Sequence, residues 1–327
     1  MRAIVCSQPD PTLATTRLTT AEVPTPAADE VRVAVHAASL NPVDWKLATG
    51  DAPWWEGPHI AGLDGAGVVD AVGSEVHDWQ VGDRVVWHAD LQRDGVLADY
   101  ALAPRHVLAA VPEGVGFAEA AALPCAGLTA YQALIRKARI EPGDNVLVQG
   151  ASGGVGGFGV QIAREFGATV LALTRPEHAE RVRALGADHV LDRRDPELPL
   201  RVRELTGGYG ADAMLEVVNP GDARTSLDLV RYNGHLLCVD PLPDLGEVPS
   251  YTYAVSLHEI AVGGAYAAGH RPTQEDFPVM LGHLLDLLAA GRLDPMIERT
   301  VGLEEAPAAL GALREGTYAG KTVVSVR

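Results

Sequence analysis

The stretch "QGASGGVGGFG" at residues 149–159 places six glycines in eleven positions, between the apolar run "NVLV" (145–148) and "VQIAREF" (160–166). Glycine at this density costs chain entropy, about 0.5–1 kcal/mol for each one in regular structure, so something here requires close approach or positive φ. Gly150, Gly153 and Gly156 spell GxxGxxG, with Gly154 and Gly157 adding clearance. Val155, Phe158, Ile162 and Phe166 then fall at helical spacing for packing on a sheet, so the helix starts inside the loop. Its unpaired N–H groups and positive dipole end face whatever lies over Gly153 and Gly154, the arrangement that binds a pyrophosphate. The bland alternative is an ordinary flexible loop. A strand before it and a second strand-like run, "TVLAL" (169–173), after it weigh against that, and the lack of a following GK[ST] excludes a Walker A loop.

The end of the second strand chooses the nucleotide. An NAD-binding chain usually places an acid about 20 residues past the glycines to hold the ribose 2′-hydroxyl. Here Thr174 and Arg175 occupy that place, and Arg193 and Arg194 follow the next strand-like run, "HVLD" (189–192). A hydroxyl and a cation suit a 2′-phosphate, so NADPH is the expected cofactor. Two features oppose this. Glu177 is near enough to pair with Arg175, and Asp192 and Asp195 can neutralise Arg193.

The rest of the chain sets bounds. At 327 residues and 47% hydrophobic, it can bury large cores, and its length favours two domains. A net charge of −17 without a Lys/Arg block disfavours nucleic acid and anionic membranes, which leaves a small molecule as the expected ligand. Cys6, Cys125 and Cys238 form no CxxC pair and no disulfide framework. No run of 18 apolar residues exists, and "MRAIVCSQPDP" has no signal-peptide core, so a cytoplasmic location is expected.

Along the first hundred residues short alternating runs, "VRVAVHA" (31–37), "GAGVVDAVG" (65–73), "DRVVWHA" (83–89) and "LADYALA" (97–103), suggest a barrel-like β domain. From about residue 118 the texture changes. "FAEAAALPCAGLTAYQALIRKA" (117–138) reads as helical apart from Pro124, and strand-like runs then alternate with helical ones, which implies a doubly wound parallel sheet. Thr273 with Asp276 resembles a capping box for a helix carrying Phe277, Met280, Leu281, Leu284 and Leu288 on one face and closed by Gly291; "KTVVSV" (321–326) is a last strand. The predicted division is residues 1–119 and 267–327 for the β domain, and 120–266 for the nucleotide-binding domain.

Five segments in order, "AASLNPVDWKLATG" (37–50), "AGLDGAGVVDAVGSEV" (61–76), "GDRVV" (82–86), "AAALPCAGLTAYQAL" (120–134) and "VQGASGGVG" (148–156), resemble the zinc-independent, zeta-crystallin-like quinone oxidoreductases of the medium-chain dehydrogenase/reductase superfamily. The resemblance runs nearly end to end. It implies an α/β chain with a GroES-like β-barrel catalytic domain and a Rossmann nucleotide-binding domain. It also implies a homodimer, with a strand around "HEIAVGGAYA" (258–267) pairing across a twofold axis, and a ligand in the cleft between the domains. It places Asn41 beside the nicotinamide and Thr129 near its ring, with Asp44 and Lys46 in the adjoining network. Gly150, Ser152, Gly153, Gly154, Val155, Thr174, Arg175, Arg193, Val218, Asn219, Val239 and Ala265 are its cofactor-binding positions. Relatives often carry tyrosine at the place of Arg193.

Metal-dependent members of the superfamily hold zinc with a Cys, the His of a Gly-His-Glu motif and a second Cys. Asn41 and Leu63 stand at the first two places and Cys125 alone matches, so no metal is expected. Without a metal to polarise an alcohol, reduction of an electron-poor quinone or α,β-unsaturated carbonyl is the easier chemistry, carried by proximity and a polar wall. Asn41 is the candidate donor to the carbonyl oxygen. Lys46 is a candidate proton source, unless pairing with Asp44 gives it a purely structural use. Trp54 and Trp55 in "APWWEGP" (52–58), with Trp45, are candidates to stack a flat ring or else pack the β domain; Tyr251, Tyr253 and Tyr266 are further candidates. Two rival readings stand beside this one. They are an enoyl thioester reductase on the same fold, and a non-enzymatic NADPH-binding protein.

Overall fold

The computed structural model describes residues 1–50, 52–55, 57–218, 223–239, 241–246, 248–316 and 319–327. The chain forms two compact units, one of Met1–Leu128 with Gly263–Arg327 and the other of Thr129–Val262. The first unit keeps more chain at both junctions than the sequence suggests. The short helix Phe117–Ala121 packs on the barrel strands, and a Cβ on Gly127 would sit 2.8 Å from Leu284 Cδ1, so this stretch is anchored in the first unit.

In the first unit the described residues give a seven-stranded sheet in the order Ile297–Gly302, Lys321–Ser325, Glu30–Leu40, Asp64–Val72, Arg84–His88, Ala109–Ala110, with Tyr100–Pro104 also paired to Glu30–Leu40. The eleven-residue strand Glu30–Leu40 pairs with Asp64–Val72 on one edge and on the other serves two partners in turn, Tyr100–Pro104 at its start and Lys321–Ser325 at its end. Its alternation of Val31, Val33 and Val35, all fully buried, with less buried neighbours is the period-two signature of a strand lining a core. A three-stranded sheet, Thr16–Thr20, Arg2–Cys6 and His59–Ile60, accompanies it. The helix Arg271–Ala289 buries Phe277, Met280, Leu281 and Leu284, and Gly291 follows at φ +68°. It begins ahead of Thr273, whose Oγ1 lies 2.7 Å from His270 Nδ1, so the Thr273 and Asp276 pair is not the helix start.

In the second unit the described residues give six parallel strands, in chain order Asn145–Gln149, Thr169–Thr174, His189–Asp192, Ala211–Glu216, Val230–Cys238 and Ser256–Glu259, arranged in space as third, second, first, fourth, fifth, sixth. This is the doubly wound Rossmann order, whose switch point lies beside the first strand. Leu147, Leu171, Met214 and Leu236 from four of the strands share one core with Leu198 and Val202 of the helix Leu198–Leu205. Two expectations change. The helical run expected over 117–138 apart from Pro124 is broken into Phe117–Ala121, Pro124–Tyr131 and a π-helical segment Gln132–Ala138; Pro124, with its fixed φ and no N–H, suits the first turn of a new helix. The edge strand ends at Glu259, and Gly264–Ala267 is helical, so "HEIAVGGAYA" is a strand over its first two residues only.

Candidate functional site

In the first unit strand pairing sets Ser39 opposite Asp64, Asp64 opposite His88 and Thr322 opposite Leu40, so Asn41, Asp64, His88 and Lys321 gather where these strands end or begin. Asn41 leaves its strand in extended geometry and caps the helix Pro42–Thr49, where Pro42 needs no N–H partner. Its own N–H donates to Asp44 Oδ2 at 2.6 Å. Its amide nitrogen donates to Asp64 Oδ2 at 2.8 Å and more weakly to the Ser39 carbonyl at 3.4 Å, while Lys321 Nζ donates to its Oδ1 at 2.6 Å. Lys321 Nζ also lies 3.6 Å from Asp64 Oδ2, and Asp64 Oδ1 accepts the Cys125 N–H at 2.8 Å. Asn41, Asp44, Asp64 and Lys321 are all buried, at 3%, 2%, 0% and 3% exposure.

This cluster sets the protonation of its members. Burial, reinforced by the negative charge of Asp64, pushes the Asp44 carboxyl up to about 7, against donation from the Asn41 N–H, the charge of Lys321 and donation from the Leu63 N–H. Burial first, then Asp64, raises the Cys125 thiol well above its ordinary range, and burial lowers His88, which is held neutral. Asp44 serves the Asn41 N–H rather than the expected partner Lys46. Residues two apart on a helix do not share a face, and Lys46 is half-buried.

The Asn41 amide nitrogen is thus engaged firmly by Asp64 at 2.8 Å and only weakly by the Ser39 carbonyl at 3.4 Å. Lys321, Asp64 and His88 were not singled out by the sequence reading. The available signal was a lysine opening the last strand, and an aspartate inside "GLDGAG". Trp54 Nε1 and Trp55 Nε1 both donate to the Leu91 carbonyl, at 3.2 and 3.0 Å, and Trp55 stacks on His59 at 3.9 Å between ring centres. Trp45 lies under the Arg314 guanidinium. These rings are fastened within the β domain. Tyr266 donates to the His88 carbonyl in the first unit, Tyr253 donates to Asp228 in the second, and Tyr251 is exposed.

In the second unit the glycines divide by purpose. Gly150 has φ +67°, and a Cβ on Gly156 would stand 2.3 Å from the Gly150 carbonyl oxygen, so these two are required by the chain's own turn and crossing. A Cβ on Gly153 would meet nothing nearer than 3.4 Å. Gly153 caps the helix Gly154–Glu165, whose first residues are Gly154 and Val155, and Ser152 lies half-buried before it. Residues 152–155 are partly exposed, which leaves room for a phosphate beside the bare backbone. Gln149 Oε1 and Thr174 Oγ1, at neighbouring strand ends, are buried without a hydrogen-bond partner among the described residues. These orphaned polar atoms beside a helix N-terminus fit a dinucleotide.

Arg175 approaches Glu177 at 3.2 Å and His178 at 3.0 Å, with half-exposed side chains. Asp195 is engaged by Arg201 at 2.5 Å and by the Glu197 N–H, so it is already paired, and Arg193 is exposed. Val218 is partly exposed, the Val239 N–H donates to the Glu216 carbonyl, and Ala265, in the first unit, accepts Gln274 Nε2 at 2.9 Å. Asn219 lies outside the described residues. Thr129 is buried at the start of the second unit.

The zinc set of the metal-dependent members does not fit this chain: Asn41 offers an amide already bonded at both ends, and Leu63 is a buried aliphatic residue. Comparison with known proteins agrees with the two-domain geometry. Residues 27–124 match the alcohol dehydrogenase GroES-like domain, and residues 154–286 match a family described as zinc-binding dehydrogenase. The chain is 34% identical over 310 residues to the chloroplast envelope quinone oxidoreductase homolog of Arabidopsis thaliana, covering 92% of this chain and 91% of that one. It is 33% identical over 308 residues to the phthioceranic/hydroxyphthioceranic acid synthase of Mycobacterium tuberculosis, where it spans 92% of its own length and 14% of the synthase. A mycobacterial protein solved in complex with NADPH superposes with a TM-score of 0.87 at 28% identity, covering 100% of both chains. The fold is therefore GroES-like plus Rossmann, and the chain belongs to the zinc-independent quinone oxidoreductase branch of the medium-chain dehydrogenase/reductase superfamily, a family of oxidoreductases.

Proposed function

We propose that the chain is a metal-independent, NADPH-dependent reductase that passes hydride to a quinone or another α,β-unsaturated carbonyl. The observation that supports this reading is the closed Asn41, Asp64 and Lys321 cluster, in which the amide of Asn41, the residue at a zinc-ligand place of the metal-dependent members, is bonded at both ends. Lacking that electrophile, the site suits acceptors that take hydride without strong activation. When bound, the reduced nicotinamide supplies the hydride. The backbone of Gly153, Gly154 and Val155 with Ser152 holds the pyrophosphate, and Thr174, Arg175 and Arg193 hold the 2′-phosphate. Asn41 acts as a positioning residue, fixed by Asp64 and Lys321. Asp44, buried and poised near neutral pH, is the residue of this cluster suited to hold a proton.

The enoyl thioester reading is supported by the similarity to the mycobacterial synthase along 92% of this chain. Incubation with C4-deuterated NADPH separates the readings. An enone product labelled at the carbon β to the carbonyl supports the proposal, label found only in a thioester product supports the rival, and bound but unconsumed NADPH supports a binding protein. Cys6, Cys125 and Cys238 form no disulfide among the described residues, which agrees with a reducing, cytoplasmic setting. The edge strand Ser256–Glu259 is the surface proposed to pair with a second copy; light scattering showing a monomer at micromolar concentration excludes this.

A further inference from the structure

We propose that Lys321 is the resident cation of the buried cluster, and that its ammonium closes the Asp64, His88 and Cys125 set to a divalent metal. One ligand atom from each of those three residues lies within 4.8 Å of the others. An oxygen, a nitrogen and a sulfur donor in so small a volume are a donor set suited to zinc or cobalt. His88 is 2% exposed, and its Nδ1 has no hydrogen-bond partner among the described residues. Asp64 is fully buried. These donors come from a different combination of positions than the set for which Asn41 and Leu63 stand as replacements.

What the set lacks is a free carboxylate and an available charge position. Asp64 Oδ2 receives the Asn41 amide at 2.8 Å and stands 3.6 Å from Lys321 Nζ, and Oδ1 receives the Cys125 N–H at 2.8 Å. The single charge of Asp64 is thus matched by Lys321, which Asn41 Oδ1 holds in place at 2.6 Å. A divalent ion entering among these donors would meet a fixed like charge in a water-poor interior, where such repulsion is little screened. Removing the ammonium reverses the balance, because Asp64 is then a buried charge with no cation.

The test uses the full chain with Co²⁺ alone as probe, under reducing conditions and without chelator. Visible d–d absorption and the near-ultraviolet thiolate-to-cobalt band report binding at Cys125. The unmodified protein is expected to show neither band. Lys321→Met, and the milder Lys321→Gln that keeps a donor for Asn41, are expected to show both, with affinity raised at least about a hundredfold. Cys125→Ala placed on either variant removes the charge-transfer band. Cobalt binding by the unmodified protein as tight as by the variants overturns the proposal, as do folded variants that bind no cobalt. If both variants are isolated unfolded, refolding with Zn²⁺ decides. Recovery of the near-ultraviolet circular dichroism only with the metal supports the proposal, and no recovery with it overturns the proposal.

Discussion

Lys321 donates a 2.6 Å hydrogen bond to Asn41 across 280 residues of sequence, and both side chains are 3% exposed. The amide is therefore held at both ends, by Lys321 at its oxygen and by Asp64 at its nitrogen. Truncation leaves a buried ammonium hydrogen and a buried carboxylate oxygen short of partners. Asn41→Ala should lower folding stability by about 2–4 kcal/mol. Turnover should fall by less than the roughly 10²–10³-fold typical of losing a direct oxyanion donor. Denaturant melts and steady-state kinetics on the same variant check this. A full-sized loss of turnover with an unchanged melt would return Asn41 to the role of direct donor.

Asp44 makes the folded state sensitive to pH with a definite sign. Its pKa is raised from 3.8 to about 7 in the folded chain, so the fold binds that proton more tightly than the unfolded chain does. The stabilisation is present in full below about pH 4, is lost as the pH rises from about 4 to about 7, and is absent above. Its size is about 4 kcal/mol. Asp44→Asn keeps the shape and an acceptor for the Asn41 N–H but has no proton to lose. Urea midpoints compared across pH should show the variant gaining on the parent by about that amount between pH 4 and 8. Parallel profiles would mean that Asp44 titrates in its ordinary range.

The strands of both domains were legible because period-two alternation and the strand and glycine-turn texture are local signals, as in Glu30–Leu40 and Asn145–Gln149. The glycine loop was legible for the same reason, though not the division of labour between Gly156, which clears Gly150, and Gly153, which stays open. The buried cluster was not. Asn41 is 23 residues from Asp64 and 280 from Lys321, and their meeting depends on the strand register that sets Ser39 opposite Asp64 and Thr322 opposite Leu40. Long-range pairing leaves no mark in a local window. The anchoring of the tryptophans was not legible either: Leu91 lies 37 and 36 residues further along the chain, and its carbonyl accepts the indole N–H of both Trp54 and Trp55.

The crossing at Gly156 predicts a sharp contrast between two similar substitutions. A Cβ there would stand 2.3 Å from backbone, which no side-chain rotation relieves, whereas at Gly153 the nearest atom is 3.4 Å away. Gly156→Ala should destabilise the nucleotide-binding domain by roughly 1–3 kcal/mol or more. Gly153→Ala should fold as the parent does and weaken dinucleotide binding instead. Thermal melts with and without NADPH separate the two effects. Equal melts for both variants would contradict the assignment.

Arg175 tests the preference for the extra phosphate. Its present partners are half-exposed, and exposed ion pairs contribute only about 0–1 kcal/mol, so Glu177 is easily exchanged for a stronger anion. A charge-assisted hydrogen bond to a phosphate contributes roughly 1.5–3 kcal/mol, about ten- to a hundredfold in affinity. NADPH should bind at least about tenfold tighter than NADH, and Arg175→Ala should erase most of that difference while leaving NADH nearly unchanged. Titrations followed by nicotinamide fluorescence measure all four affinities. Equal affinities in the unmodified protein would show Arg175 to be a solvated surface residue.

The most direct measurement of the central claim is NADPH oxidation, followed at the nicotinamide absorbance band, with a panel of quinones and enones in the presence of excess metal chelator. Steady turnover of at least one quinone or enone, unaffected by the chelator, is expected. Binding of NADPH with no oxidation above the blank for any member of the panel, or turnover that the chelator abolishes and added zinc restores, would contradict it.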